Sequence, residues 1–414
     1  MTASAGKGEI SLMKILMVNK FLYPNGGSET YIFRLGEQLQ KLGMEVQYFG
    51  MEDKRNIVGN NIGSYTSNMD FHSGKLSKLL YPLKIIYSLE AKRAIRRVLE
   101  DFQPDAVHLN NFNYQLTPSI LYEIRRFEKK RKKPIKILFT AHDYQLICPN
   151  HLMRCPGTEV NCSKCVGGKY GNCIKGKCIH NSALKSILGA AEGWIYRYLK
   201  TYRKIDMVIC PSSFMQEQME KHPDLKGRTV LIRNFTTISG RGEGKAPEKE
   251  DYIVYFGRYS KEKGMGTLLN VCKELSEIPF VFAGAGPYEE QMKGIKNIRN
   301  MGMLGEEEVK AVVEKARFSI YPSEWYENCP FSVMESIQYG TPVIGADIGG
   351  IPELVRDGVT GTVFPSGSKE QLKDKILELW HSNDKVMAYS RNCLKTSFIS
   401  LEEYALQMKQ YYTN

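Results

Sequence analysis

The sequence predicts an α/β protein of two doubly wound domains, and three observations carry that prediction. A chain of 414 residues is long enough for two or three cores of ordinary domain size. Each half consists of short β-branched or apolar runs that turn on glycine and pass into helical periodicity, as parallel sheets covered by helices require. Between the halves, Ser239 to Glu250 reads SGRGEGKAPEKE, rich in glycine and charge and without apolar periodicity, which is the composition of a surface linker. The expected domains are residues 13–238 and 251–396, followed by a terminal segment, 397–414.

The elements follow in chain order. In the first half the strand candidates are Lys14 to Asn19, Glu45 to Gly50, Ala106 to Leu109, Lys136 to Ala141 and Met207 to Pro211, with helices between them. The first strand leads into Pro24-Asn25-Gly26-Gly27-Ser28-Glu29 and a helix that keeps Tyr31, Ile32, Leu35 and Leu39 on one face. The second series runs Tyr252 to Gly257, Phe280 to Gly284, Asn297 to Met303, Phe318 to Pro322, Pro342 to Ala346 and Thr362 to Phe364. Leu401, Tyr404, Ala405, Met408 and Tyr411 recur at three- and four-residue spacings, so the chain should end in an amphipathic helix that packs back towards the N-terminal domain.

Apolar residues make up 42% and charged residues 25%, which excludes a disordered or collagen-like chain. No uncharged apolar run approaches the roughly 18–20 residues that span a bilayer. Ile15 to Val18 is too short for a signal-peptide core, so a cytoplasmic protein is expected. The net charge of +12 is uneven: residues 1–235 carry 36 Lys+Arg against 20 Asp+Glu, and 236–414 carry 21 against 25. A basic half suits phosphorylated substrates, anionic headgroups or nucleic acid, and charge alone does not choose among them.

Three constellations carry chemistry. The Gly26-Gly27 turn at a helix start lets backbone N–H groups approach a phosphate, although an ordinary strand-to-helix turn has the same spelling. Gly257-Arg258 ends a strand and Lys263-Gly264 opens the next helix, so both cations lie at the sheet's C-terminal edge, where open α/β sheets bind ligands. A guanidinium and an ammonium five residues apart suit a diphosphate. In Tyr321 to Glu335, Glu327 falls in a loop and Glu335 about one turn inside the following helix, so the two carboxylates can reach one ligand at different heights. The Gly349-Gly350-Ile351 turn repeats the strand, glycine turn and helix arrangement beside them.

Taken together, these motifs, with Thr140-Ala141-His142-Asp143 and Ala283-Gly284-Ala285-Gly286-Pro287, resemble those of glycosyltransferase family 4, retaining enzymes of the GT-B fold, over nearly the whole chain. The resemblance implies two Rossmann-like domains facing a central cleft. It also implies transfer of a sugar from a nucleotide-diphosphate sugar, a UDP-sugar first and GDP-mannose second. The acceptor would be a saccharide or lipid-linked molecule in cell-surface polysaccharide or glycolipid synthesis. Arg258 and Lys263 would neutralise the diphosphate, Glu335 would hold the ribose, and Glu327 would contact the sugar hydroxyls. Asn328, Cys329, Pro330 and Phe331 would lie along sugar and phosphate, and Gly26 and Gly27 would complete the phosphate site. His142 would sit near the donor sugar, with His108 and Asn110 on the acceptor side. No catalytic metal is expected, because the two cations take its place. A catalytically silent GT-B subunit and a nucleotide-sugar epimerase of the same fold are the rival readings; a nucleic-acid binder would leave the second domain unexplained, so no nucleic-acid partner is expected.

Two features depart from the family pattern. Six of the ten cysteines fall between Cys148 and Cys178, and without an export signal such a cluster reads as a metal site before a disulfide set. Cys162, Cys165, Cys173 and Cys178 could close a structural zinc site, with free thiols or a redox bridge as alternatives. This insert of the N-terminal domain leaves the end of the His142 strand and is expected to form part of the acceptor site or a lid. The cationic run Arg125 to Lys133 and the mixed apolar and basic stretch Lys75 to Leu99 could dock on an anionic surface, although a solvated helix face has the same spelling; the resemblance implies peripheral association with the inner face of the cell membrane.

Overall fold

Short runs become strands, and those of four residues or more are buried along most of their length. They are β1 (Lys14–Val18), β2 (Glu45–Phe49), β3 (Ala106–Leu109), β4 (Lys136–Thr140), β5 (Arg154–Cys155), β6 (Val160–Asn161), β7 (Met207–Cys210) and β8 (Thr229–Leu231), then β9 (Glu250–Phe256), β10 (Phe280–Ala283), β11 (Ile298–Asn300), β12 (Ala316–Tyr321), β13 (Val343–Asp347) and β14 (Gly361–Pro365). The computed structural model describes residues 12–67, 84, 86–238 and 247–413. The linker predicted at Ser239 to Glu250 therefore lies largely outside the described residues.

Two six-stranded sheets result, in the orders β2-β1-β3-β4-β7-β8 and β11-β10-β9-β12-β13-β14. The registered pairs within them are parallel, for example Val18 opposite Leu109 and Phe256 opposite Ala283. Parallel pairing needs a crossover between neighbours, and helices such as Gly27–Lys41 and Met265–Glu274 supply it. Both sheet orders reverse direction beside their first strand, which marks the carboxyl ends of β1 and β9 as ligand-binding edges. β5 and β6 form a separate antiparallel ribbon.

The chain divides into two compact units. One comprises Met1–His142, Ile195–Ile209 and Leu401–Asn414; the other comprises Asp143–Trp194 and Cys210–Ser400. The cysteine-rich segment thus groups with the second unit. The physical cause is the bonding of the β5–β6 ribbon: the guanidinium of Arg154 and the amide of Asn161 both donate to the carbonyl of Glu324.

Within the first unit, the terminal helix Leu401–Thr413 buries Tyr404, Ala405, Met408 and Tyr412. The Tyr404 hydroxyl lies 2.8 Å from that of Tyr31, and the Tyr412 hydroxyl 2.7 Å from Nδ1 of His108. The stripe differs from expectation in using Tyr412 where Tyr411 was placed. Within the second unit, strands β9, β10, β12 and β13 share one apolar core with the helices Met265–Glu274, Phe331–Gln338 and Lys369–Trp380. Among the described residues, no helix is long and apolar enough to cross a membrane.

Candidate active site

The carboxyl edge of β9 gathers the charged groups that the sequence singles out. A pocket in the second unit is lined by Tyr255, Gly257, Arg258 and Lys263 from the β9 end, with Ser323, Glu327 and Pro330 from the loop after β12. Gly264 makes this convergence possible. It has φ of +73°, and a Cβ there would lie 1.8 Å from the carbonyl oxygen of Pro322, so only glycine lets the helix start meet the β12 loop.

Glu327 is buried, and one of its oxygens collects three donors: Lys263 Nζ at 2.6 Å, Ser323 Oγ at 2.7 Å and Trp325 Nε1 at 2.8 Å. Burial alone would raise its pKa, but the Lys263 charge and these hydrogen bonds outweigh burial and hold the carboxyl below its ordinary range. Lys263 also lies 5.4 Å from the Trp325 ring centroid. The Glu327 carbonyl accepts from the N–H of Gly350 at 2.7 Å, so the Gly349-Gly350 turn fixes the backbone as well. Arg258 is exposed, and its guanidinium stands 3.9 Å from the Glu262 carboxylate.

Pro330 caps the helix Phe331–Gln338, whose first N–H groups receive no side-chain cap. Cys329 is buried and its carbonyl accepts from Asn234 at 2.8 Å, while burial pushes its thiol up to about 12, so it is no nucleophile. Glu335 sits in the same helix, beyond the residues lining the pocket; burial, then the Glu306 charge, raises its carboxyl to about 7. Of the predicted donor-binding residues, Arg258, Lys263, Glu327 and Pro330 line one pocket. Tyr255, Tyr321 and Ser323 are lining residues that sequence reasoning missed; the serine's signal was its position four residues before Glu327.

In the first unit, Gly26 precedes the helix Gly27–Lys41, and the turn is braced by Glu29, which accepts from Asn19 at 2.8 Å and from Ser28 at 2.9 Å. His142 Nε2 is 2.8 Å from Asn110 Oδ1, and its ring meets Tyr31 edge-on at 4.9 Å. Burial pushes the His142 imidazole down to about 3, so it is neutral at physiological pH. His108 corrects the sequence reading. It is fully buried between Thr140 Oγ1 and the Tyr412 hydroxyl, each at 2.7 Å, and does not face an acceptor. Asn110 is likewise buried and orients His142 from behind.

The cysteines do converge, but not as the set of four expected. Cys162, Cys165, Cys173 and Cys178 line a small cavity together with Cys148, and Cys155 Sγ lies 3.9 Å from Cys178 Sγ. All six are free thiols. Among the described residues, no three His, Cys, Asp or Glu side chains are set to hold a metal ion. The ribbon of this segment grips the carbonyl of Glu324, three residues before Glu327.

Comparison with known proteins places this geometry. Residues 25–239 match the family model described as Glycosyltransferase Family 4, and residues 239–396 match that described as Glycosyl transferases group 1. An uncharacterised 42.6 kDa protein of the cps region of Klebsiella pneumoniae is 23% identical over 360 residues, which are 83% of this chain and 88% of that protein. The O-antigen chain mannosyltransferase C of Escherichia coli is 27% identical over 151 residues, 34% of this chain and 40% of that protein, so the chain spans well under half of that relative. The crystal structure of Anabaena HepE in complex with UDP superposes with a TM-score of 0.65 at 15% identity, over 97% of this chain and all of that one (100%). A likeness at that identity shows the fold, which is of the GT-B kind.

Proposed function

Since the chain belongs to glycosyltransferase family 4, we propose that it transfers a sugar from a nucleotide-diphosphate sugar with retention of anomeric configuration. The observation that carries this reading is the pocket in which Arg258, Lys263 and Glu327 meet at the carboxyl end of β9. Lys263 is held by Glu327 until an anion competes for it. A donor diphosphate would take the ammonium, with Arg258 as the second cation, and leave the Glu327 carboxylate to accept from sugar hydroxyls. The two cations matter most as the leaving diphosphate gains charge, because a donor fixed where charge develops lowers the barrier without reorganising. The N–H groups at the start of Phe331–Gln338, which no side chain caps, would lie along the phosphate. Glu335 would take the ribose.

Glu327 is a poor covalent nucleophile, since Ser323 and Trp325 still donate to one of its oxygens once Lys263 has turned to the diphosphate. The acceptor hydroxyl would therefore attack on the face the leaving group departs from, losing its proton to the departing phosphate. Neutral His142 gives its one ring N–H to Asn110, so towards a sugar hydroxyl it would act as a hydrogen-bond acceptor.

A UDP-sugar is the first choice of donor, in keeping with the UDP bound by HepE, and GDP-mannose the second, in keeping with the mannosyltransferase. The acceptor on this reading is a saccharide or lipid-linked molecule in polysaccharide assembly, in keeping with the O-antigen chain mannosyltransferase. Calorimetric titration with UDP, GDP, ADP and their sugars tests the reading. One nucleotide should bind, and Lys263→Ala or Arg258→Ala should each weaken it by about tenfold or more. No binding across the panel would overturn the reading and leave a silent subunit.

A further inference from the structure

The basic segments singled out in the sequence spend their apolar faces on the core: Ala91, Ile95, Val98 and Phe102 are buried in Leu89–Phe102, and Ile120, Ile124 and Phe127 in Ser119–Arg131. Most of Lys75 to Ser88 lies outside the described residues. The cysteine-rich segment, by contrast, carries reactive groups that the proposed sugar transfer does not use.

Two of its six thiols form a pair. Cys155, in β5, and Cys178, in the turn after the short helix Gly171–Lys175, are partly exposed, whereas Cys148, Cys165 and Cys173 are buried. Cys178 Sγ donates to Cys155 Sγ at 3.9 Å, and Cys155 Sγ donates to the carbonyl of Gly176 at 3.4 Å. Gly176 leaves room for the two sulfurs, since a Cβ there would lie 2.8 Å from Cys178 Sγ and 3.2 Å from Cys155 Sγ. The Asn150 amide ties the two stretches of backbone, donating to the carbonyl of Arg154 and, at 3.3 Å, to that of Cys178. A disulfide holds its sulfurs about 2 Å apart, so side-chain rotation over a further 2 Å or so would close the bond.

The pair sits at the root of a ribbon that holds the pocket at the end of β9 from two directions. Arg154, beside Cys155, donates to the Glu324 carbonyl, and so does Asn161 of β6. Glu159, between the two strands, meets Lys261 Nζ at 2.5 Å. Glu324 lies three residues before Glu327, and Lys261 two before Lys263. The ribbon that makes these contacts pairs only Arg154 with Asn161 and Cys155 with Val160. Two strands that short are marginal without an anchor, and a covalent bond at Cys155 would supply one.

We propose that Cys155 and Cys178 are a reversible redox pair, closed by exchange with a small-molecule disulfide, and that their bond fastens the β5–β6 ribbon onto the loop carrying Glu327. Cys155 attacks first, because the hydrogen bond from Cys178 supports a thiolate on its sulfur. It bonds to one sulfur of the small disulfide, whose other half leaves as a thiolate. The Cys178 thiolate then bonds to Cys155 Sγ and displaces the second half. Two protein thiols become one disulfide, the small disulfide becomes two thiols, and the two protons released pass to them. The pair stands independently of sugar transfer, and its test needs no donor.

The full chain is incubated with oxidised glutathione, alkylated and mapped by peptide mass spectrometry. One bridge, Cys155 to Cys178, should form, and reduced glutathione should open it. Hydrogen exchange at residues 154–161 and 323–328 should slow about tenfold in the bridged chain, and should not slow in Cys178→Ser or Cys155→Ser treated in the same way. A thermal transition in reductant that matches the parent's certifies that each variant is folded. Thiols that both persist, a bridge from either one to any other cysteine, or unchanged exchange at 323–328 in a chain whose Cys155–Cys178 bridge is mapped would each overturn the proposal. So would a zinc ion that the parent binds and folded Cys178→Ser loses, because the thiol would then be a ligand.

Discussion

Glu327 and Glu335 stand eight positions apart and titrate in opposite directions, because one has a cation within hydrogen-bonding distance and the other has only burial and a like charge. The sign of each contribution to stability follows. The folded-state pKa of Glu327 lies below its unfolded value, so the stability it contributes is present above about pH 4.5 and is lost as pH falls through the folded value. The carboxyl of Glu335 rises from 4.5 to about 7 on folding, so the folded state holds the extra proton and stability falls as pH rises across that window. Glu335→Gln should therefore raise the thermal transition at pH 8 and change it little at pH 4, measured in a melting series across pH. Glu327→Ala should do the reverse at neutral pH. It leaves the half-buried Lys263 without its partner and should cost about 3 kcal/mol in a urea titration. At the same scale, Tyr412→Phe removes one of the two partners of buried His108 and should cost about 1–3 kcal/mol while leaving nucleotide affinity unchanged. A sequence places His108 at a strand end, as it would a ligand-facing residue. That the ring is sealed by a tyrosine 304 positions later depends on tertiary packing, which local patterning does not carry.

At the scale of elements, the ribbon β5–β6 braces the donor loop. Arg154 donates to the Glu324 carbonyl and stands 3.7 Å from its carboxylate, and Asn161 donates to the same carbonyl at 3.0 Å. Glu324 in turn accepts from Thr267 at 2.6 Å, so the loop is held from both sides. Loss of one brace should loosen Glu327 more in the empty site than in the occupied one. Arg154→Ala should thus raise the donor KM about tenfold with a smaller change in kcat, and Arg154→Lys should recover part of it. Steady-state kinetics with varied donor separates this from general misfolding, which would lower the amount of active enzyme and leave KM alone. The Cys spacing drew attention to the segment, but cysteine pattern says nothing of what a ribbon of two-residue strands touches. β8 was missed for a related reason: Thr229–Leu231 is only three residues long and half-buried, below the length at which periodicity distinguishes a strand. Longer strands such as β9 and β12 were legible because parallel sheets bury both faces and write near-continuous apolar runs.

At the scale of the whole molecule, the chain returns to its first unit at its end. Tyr404, Ala405 and Met408 of the terminal helix are fully buried, and the Tyr404 and Tyr412 hydroxyls complete a polar network with Tyr31, Thr140 and His108. The amphipathic spacing of this helix was readable in sequence, whereas the network it closes was not. The second unit has its own core, built from β9 to β14 and their helices and containing no residue of the terminal helix. Two cores joined by chain can unfold separately, and a single transition is then not guaranteed. Removal of residues 401–414 exposes Tyr31 and leaves His108 and Thr140 short of partners, a loss confined to the first unit. Calorimetry of the truncated chain should show one transition lowered by several degrees or more, about 2–4 °C for each kcal/mol lost by a unit of this size. The transition that UDP or GDP raises should stay in place, because the Lys263 and Glu327 pocket lies wholly in the second unit. If both transitions fell together, the two cores would be one cooperative unit, and the terminal helix would support the donor pocket as well as the fold that buries it.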